Sequence, residues 1–512
     1  MEQIFLKYLS LSKYSKTTID NFKENYLSHP DYPSLYAITD SLDLIGIESI
    51  SATVPITQFV NLPECFVASL AINKQKVFVL VRRREDKIIY ENKKGKQKTL
   101  MAEEFINIWS GLILVVELNK NRLSKNKLPI QNILFQIGLA VFILFSLSMF
   151  LKPFNIIALL YQLLAITGLF VGVIIVQEEL GILNSFVTKV CNKISNTFSC
   201  NSVIGTKEKI LPFGISFSDL PLLFFGVNFM VISFSHSFYV LVGFMNIMSL
   251  PIILYSVYYQ KFKIKKWCVL CLFVFVIIIV QSVMYIYTAK IPKWETVAVY
   301  FSILSTITLL WLPLKDTLKK KNNLSRENNE LRRFKRNSNV FNFLLNKNKI
   351  PSTNRLQGIT VGNINSPFLV ELFLSPSCRF CFDVYKECLD FIEIKGNKAH
   401  LKIYFNINIS NTENPYIVVA KGILQYFQKK QCIEPLNDWY IDKIPMEKWN
   451  EKWGKDNITS ETENLIKQQF EFCSKNNLNY APIVLINGKL LPKEYSIKEL
   501  KYFRYELKES VV

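Results

Sequence analysis

The chain has 512 residues, 50% of them hydrophobic, and a formal charge of +20. That length accommodates about three domains, and the apolar share is too high for a wholly soluble protein of ordinary composition. The lysines are spread over all segments without a nucleic-acid motif, so the charge suits anionic lipid headgroups, or simply a Lys- and Asn-rich proteome, better than nucleic acid. The 10 cysteines are too few for a disulfide scaffold, but six of them form three close pairs, which points to catalysis. The opening stretch, MEQIFLKYLSLSKYSKTTIDNF, has no basic-then-apolar signal-peptide pattern.

Residues 1–125 read as a small α+β domain. Amphipathic helices are expected at 3–28 and 32–46, strands at CFVASLAI, KVFVLVRR and KIIYEN, a short helix at AEEFINIW and a last strand at GLILVVEL. Six apolar runs follow, near 131–150, 155–177, 218–236, 238–258, 267–288 and 295–314. Each approaches or exceeds the roughly 18–20 residues that cross a bilayer as a helix, and six in succession argue against soluble core helices. Residues 315–356 form a basic, Asn-rich connector, expected to be partly helical and exposed. Residues 357–512 form a second soluble domain: strand, Cys-x-x-Cys helix, strand (HLKIYFNIN), helical stretch, strand (APIVLING), short strand (KLLP) and final helix (SIKELKYFRY).

The three cysteine pairs sit in different settings. Cys268 and Cys271 open the apolar run CVLCLFVFVIIIVQSVMYIY. Positions i and i+3 share a helix face, and a helix N-terminus favours the reactive thiolate. Lys261, Lys263, Lys265 and Lys266 would add to that. Cys191 and Cys200 bracket NKISNTFS between two runs, in a loop able to turn one thiol to the membrane pair and the other to a soluble partner. A structural disulfide or a four-thiolate zinc site is the alternative there; zinc sits oddly at a membrane lip, and no metal is expected. Cys378 and Cys381 follow the strand-like FLVELFLS. Two dithiols at the membrane and one outside it suggest a relay between protein thiols and something dissolved in lipid.

The series Cys191…Cys200, Thr206, FGISFSDLPLL entering a run, and Cys268-Val-Leu-Cys271 resembles the vitamin K epoxide reductase family over about residues 155–290. The resemblance implies a four-helix bundle holding a quinone of the ubiquinone or menaquinone type. It also implies that Cys271 is the quinone-side cysteine, that Cys268 takes the disulfide from the loop pair, and that Thr206 helps form the quinone site. Which of Cys191 and Cys200 faces the soluble partner stays open.

In ELFLSPSCRFCFDVYKECLDF the Cys-x-x-Cys opens a helix after a strand and a short turn, the redox geometry of a thioredoxin-like domain. NLNYAPIVLINGKLLP puts Pro482 before a strand and hairpin. The resemblance to thioredoxin-like folds covers roughly 365–505, with a helical insertion at about 412–473. It implies a cis-proline at Pro482 that lies against the active pair and holds substrate backbone, with Cys378 attacking and Cys381 resolving the mixed disulfide. Cys388, Cys432 and Cys473 read as structural, and a Cys432–Cys473 disulfide is left open.

Residues 29–115, with HPDYPSLYAITDSLDLIGIES, LPECFVASLAI and EEFINIWSGLILVVE, loosely resemble the papain-like peptidase domain that processes double-glycine leaders in bacteriocin exporters. No cysteine precedes Cys65, and the position expected for the catalytic histidine reads Lys76-Val77; His29 is the only histidine in this region. The domain therefore reads as an inactive relative that binds peptides, and no phosphate-binding Gly-x-x-x-x-Gly-Lys-Ser/Thr loop accompanies it.

The expected architecture is multi-domain: a degenerate α+β papain-like domain (1–125), an α-helical membrane bundle of about six spans (129–314, core 155–290), a basic linker (315–356) and an α/β thioredoxin-like domain (357–512). The expected function is a quinone-dependent thiol oxidoreductase of the bacterial cytoplasmic (inner) membrane, forming disulfides in secreted or membrane proteins. The alternatives are a peptide-maturation module of a bacteriocin-type exporter, and a reductant or isomerase running electrons the other way. Six spans put all three dithiols and both termini on one side. Disulfide formation favours the extracytoplasmic face, whereas the basic clusters at 120–127, 261–266 and 319–321 on that same side favour the cytoplasm. Outward-facing thiols are preferred, because quinone-coupled oxidation serves a secretory compartment.

Overall fold

The computed structural model describes residues 1–117, 155–181 and 215–503, apart from short internal stretches. The apolar run at 131–150, the pair Cys191 and Cys200, and Thr206 lie outside the described residues. The chain forms two compact units, Met1–Leu27 with Ile38–Asn329 and Ser28–Ala37 with Glu330–Val512.

Three short helices open the chain: α1 (Glu2–Leu11), α2 (Lys16–Leu27) and α3 (Leu35–Asp43). The single helix expected over 3–28 is broken. Lys13 takes a left-handed φ of 65°, and the Ser15 hydroxyl accepts the Thr18 N–H at 3.1 Å, which caps α2. Six strands follow: β1 (Ser49–Thr53), β2 (Cys65–Ile72), β3 (Gln75–Arg84), β4 (Lys87–Glu91), β5 (Gln97–Met101) and, after α4 (Ala102–Ile108), β6 (Trp109–Val116). They pair antiparallel in the order β1-β6-β2-β3-β4-β5. Alternate residues of the central strands, Phe66, Ala68 and Leu70 with Val79 and Val81, turn inward onto Phe105 of α4. The two edge strands, β1 and β5, are mostly exposed, so they carry no alternation to read in advance.

The apolar middle of the chain forms α5 (Ile156–Glu179), α6 (Asp219–Phe234), α7 (Tyr239–Tyr258), α8 (Val269–Thr288) and α9 (Trp294–Lys335). Asn155 caps α5 by accepting the N–H groups of Ile157 and Ala158 at 3.0 and 3.2 Å. Among the described residues, four helical stretches, Ile156–Glu179, His236–Lys263, Val269–Tyr287 and Trp294–Lys335, are long and apolar enough to cross a membrane. The run at 218–236 gives the shorter α6, because Ser235 turns to extended backbone. Helices α5 and α6 approach backbone to backbone: a Cβ on Gly172 would stand 2.7 Å from the Leu222 nitrogen and 2.8 Å from its Cα. Helix α9 runs through Pro313 to Lys335, well past the expected end of its apolar run at 314, because the polar sequence beyond Pro313 is rich in helix-forming Lys, Leu, Glu and Arg.

After α10 (Ser338–Lys347) comes a second sheet of β7 (Ile359–Gly362), β8 (Phe368–Leu374), β9 (Ala399–Phe405), β10 (Ile483–Ile486) and β11 (Lys489–Leu490). Its order is β11-β10-β8-β9-β7. Strands β8 and β9 are parallel and joined by the crossover helix α11 (Arg379–Lys395), and the other pairs are antiparallel. Four helices interrupt the chain between β9 and β10: α12 (Ile417–Lys430), α13 (Glu434–Tyr440), α14 (Met446–Trp453) and α15 (Ser460–Lys475). The expected final helix is a 3-10 turn, Ile497–Phe503. Val370, Leu372 and Leu374 of β8 meet Cys381, Tyr385 and Cys388 of α11 in one core; Cys473 is buried on the other side of the sheet with Phe373 and Tyr404. Cys432 and Cys473 are both free thiols.

Candidate functional site: two dithiols at helix starts

Cys378 immediately precedes α11 and Cys381 is its third residue. The Cys378 N–H donates to the Ser375 carbonyl at 3.0 Å and the Cys381 N–H to the Cys378 carbonyl at 3.1 Å, closing the turn that starts the helix. The first-turn amides and the helix dipole favour negative charge here, which is what a reactive thiolate needs. The two sulfurs differ in access. Cys378 is half-buried and its Sγ donates to the Ala481 carbonyl at 3.1 Å, next to the cis Ala481–Pro482 peptide. Cys381 is fully buried, and that burial pushes its thiol well above the ordinary range.

Three residues that no motif marks build this site. Asn406, one residue beyond β9, donates from Nδ2 to the carbonyls of Leu478 and Tyr480 at 3.0 and 2.9 Å, and so holds the loop that brings Ala481 and Pro482 to Cys378. Trp439 of α13 donates from Nε1 to the Pro376 carbonyl at 3.1 Å, fixing the turn before the dithiol. Tyr440 is buried with its ring against Phe382 and Tyr385 of α11. Its hydroxyl has no hydrogen-bond partner among the described residues, and burial first, then the neighbouring Cys381 and Cys378, push it well above the usual phenol range. The helical insertion is therefore part of the candidate site. Phe380, between the two cysteines, is 76% exposed and leaves an apolar ring beside the accessible sulfur.

The membrane pair repeats the local geometry. Cys268 immediately precedes α8 and Cys271 is its third residue, so Cys268 stands just outside the helix rather than on its first turn. The Leu272 N–H donates to the Cys268 carbonyl at 3.1 Å. The Cys268 N–H donates to Gln260 Oε1 at 2.9 Å. Gln260 lies in a π-helical turn, Tyr259–Ile264, that continues α7 before Lys265 reverses the chain at a φ of 56°. The order of access is inverted relative to the soluble pair: Cys268 is buried, while the half-buried Cys271 stands in the wall of a cavity of about 460 Å³. Phe225 and Met245 give that cavity an apolar wall, with Gln260, Tyr300 and Thr308 among its polar groups.

In the N-terminal domain Cys65 begins β2, half-buried, and burial raises its thiol. Its carbonyl accepts the Tyr8 hydroxyl at 3.2 Å. Lys76 lies on β3 opposite Ala71. His29 uses Nδ1 to accept the Asp31 N–H at 3.1 Å.

Residues 159–286 match the Vitamin K epoxide reductase family. No curated protein matches the chain. Among solved structures, a periplasmic thioredoxin-like protein from Salmonella enterica serovar Typhimurium is similar at 14% identity, covering 34% of this chain and 98% of its own, with a TM-score of 0.26. BdbD from Bacillus subtilis is similar at 12% identity, covering 32% of this chain and 97% of its own, with a TM-score of 0.25. The peptidase domain of Streptococcus ComA, a bi-functional ABC transporter, is similar at 17% identity, covering 21% of this chain and 80% of its own, with a TM-score of 0.17. The helical part of the chain thus carries a domain of the vitamin K epoxide reductase family, and the chain is a membrane protein.

Proposed function

We propose that this chain is a membrane thiol–disulfide oxidoreductase that forms disulfides in substrate proteins and passes the electrons to a quinone. One observation carries the reading: a dithiol at the start of α8 has one cysteine in the wall of a mostly apolar cavity, while a second dithiol of the same local geometry has one half-buried cysteine in the C-terminal domain.

A substrate thiolate attacks Cys378 Sγ of the oxidised pair; the Cys378–Cys381 bond breaks and its electron pair leaves on Cys381. A second substrate thiolate attacks the mixed disulfide and Cys378 leaves, so the substrate gains a disulfide and the pair gains two electrons. Ala481 and Pro482 hold the substrate backbone beside Cys378. Cys191 and Cys200 reoxidise the soluble pair and hand the electrons to Cys268 and Cys271. The cavity suits a quinone of the ubiquinone or menaquinone type: its volume is that of a small-molecule site and its lining is mostly apolar with a few polar groups. A bound quinone supplies a two-electron, two-proton acceptor. Cys271 presents its sulfur to that space, Gln260 holds the turn that carries Cys268, Thr206 contributes to the site, and the apolar walls exclude water. The dithiols face the extracytoplasmic side of the bacterial inner membrane, and Cys378 labels with a membrane-impermeant maleimide in intact cells; labelling only after lysis would sink that orientation. The N-terminal domain binds peptides without cutting them. Cleavage of a double-glycine leader that Cys65→Ala abolishes would overturn this and favour the peptide-maturation reading.

The test is quinone reduction by purified protein supplied with a reduced peptide dithiol. Turnover is expected in the wild type and lost in both Cys271→Ala and Cys378→Ala. Undiminished turnover in Cys378→Ala would remove the soluble pair as the entry point, and no turnover in the wild type would remove the oxidase reading.

A further inference from the structure

Among the described residues, the cavity beside Cys271 is walled in part from outside the segment that the family match covers. Part of its wall is Tyr300, Phe301, Leu304 and Thr308 of α9, all beyond residue 286. This helix packs sparingly: 6% of its most apolar window is buried, and its buried residues are Tyr300 and Lys315, both polar. Each is bonded into the bundle. The Tyr300 hydroxyl donates to Asn228 Oδ1 of α6 at 2.8 Å. Lys315 Nζ donates to both oxygens of Asp219 at 2.8 Å, to Glu179 Oε2 at 2.9 Å and to Ser216 Oγ at 2.6 Å. Trp311 Nε1 adds a bond to Asp219 Oδ1 at 3.0 Å. Asp219 starts α6 and Glu179 ends α5, so one lysine joins three helices at the end of the cavity lined by Ile215, Phe217 and Ser218. Val297, Ile303, Leu304 and Ile307 pack against Val227, Val231, Leu241 and Met245, and the polar pairing, costly to break away from water, adds to that hold on α9.

We propose that α9 is the acceptor-selecting wall of the cavity, and that the Lys315–Asp219–Glu179 cluster is the clasp that seats it. The inference rests on the quinone reading. Leu304 and Thr308 then limit the ring that fits beside Cys271, and Lys315 is a positioning residue that acts through the helix.

The experiment has two readouts on the full-length protein in detergent. In the first, an azidoquinone is photolysed on the protein and the labelled peptides are mapped by mass spectrometry. Label is expected within 294–315 and is expected to be lost from it in Leu304→Trp. In the second, KM is measured for a benzoquinone and a bulkier naphthoquinone. Leu304→Trp is expected to raise the naphthoquinone KM at least tenfold more than the benzoquinone KM. Lys315→Met is expected to raise both at least tenfold, and Lys315→Arg to restore most of the loss. Leu310→Trp is the control: Leu310 is 69% exposed on the same helix, and both KM values are expected to hold. Label confined to 156–288, with both KM values unchanged in Leu304→Trp, would overturn the inference while leaving the quinone reading intact. No label and no reduction in the wild type would overturn both.

Discussion

Asn406→Ala tests whether the loop before Pro482 is held in place for exchange. The substitution removes two hydrogen bonds, to the carbonyls of Leu478 and Tyr480, and leaves the backbone bond from the Asn406 N–H to the Leu374 carbonyl untouched. At about 1 kcal/mol net for each bond, the loss is about 2 kcal/mol. If all of it falls on the seating of the loop against Cys378, exchange slows by up to about 30-fold, since about 1.4 kcal/mol is a factor of ten. If all of it falls on global stability, the unfolding midpoint drops and the exchange rate of the folded protein holds. Asn406→Asp separates donor from shape: it keeps the size, removes the two donated hydrogens and sets a carboxylate against two carbonyls, so it should be at least as slow as the alanine variant. The assay is rapid-mixing reduction of the Cys378–Cys381 disulfide by a peptide dithiol, followed by tryptophan fluorescence, with urea unfolding in parallel. Wild-type exchange rates in both variants, with or without lost stability, would refute the reasoning.

Glu371 is buried on β8, where Oε1 accepts from the Thr353 hydroxyl and from Tyr404 at 3.3 Å, and burial raises its carboxyl above the ordinary range. A raised acid confers stability that is present below the ordinary carboxyl pKa and fades as pH climbs through the raised value, because the unfolded chain releases its proton first. Glu371→Gln should therefore flatten the fall in urea midpoint of the soluble domain across that window; parallel curves for the two proteins would refute it. Gly172→Ala should lower the thermal midpoint of the helical bundle by overpacking worth about 1–3 kcal/mol, since the new Cβ meets backbone atoms of Leu222. Gly226→Ala, whose Cβ would meet only Leu169 Cδ1 at 3.7 Å, should leave or raise the midpoint; equal effects at both glycines would count against the close approach of α5 and α6.

The parts of this molecule visible in the sequence are those with a strong local period or a fixed spacing. Strands β2, β3, β8 and β9 were legible because inward residues alternate or run continuously apolar, and the starts of α8 and α11 because Cys-x-x-Cys marks them. Strands β1, β5 and β7 were not, because strands of four or five residues, two of them largely exposed, leave too little pattern. The break at Lys13 depends on one left-handed residue; that the connector after 314 is partly helical was expected, but not that α9 passes Pro313 unbroken. Pro482 could be named in advance because spacing and fold resemblance select it. Asn406, Gln260, Tyr440 and Lys315 could not: each acts through a partner far away in sequence, and no local rule joins residue 406 to 480 or 315 to 219. Their polar side chains inside otherwise apolar or strand-terminal stretches were the only trace.

The inverted access of the two dithiols has a practical consequence for anyone probing them. Within each pair one sulfur is shielded by protein, and the open one looks onto water at Cys378 but onto an apolar space at Cys271. The partition coefficient of an alkylating reagent, more than the intrinsic nucleophilicity of either thiol, then decides which centre it reports. A charged maleimide and a greasy one applied to the same sample would count two different populations of cysteine.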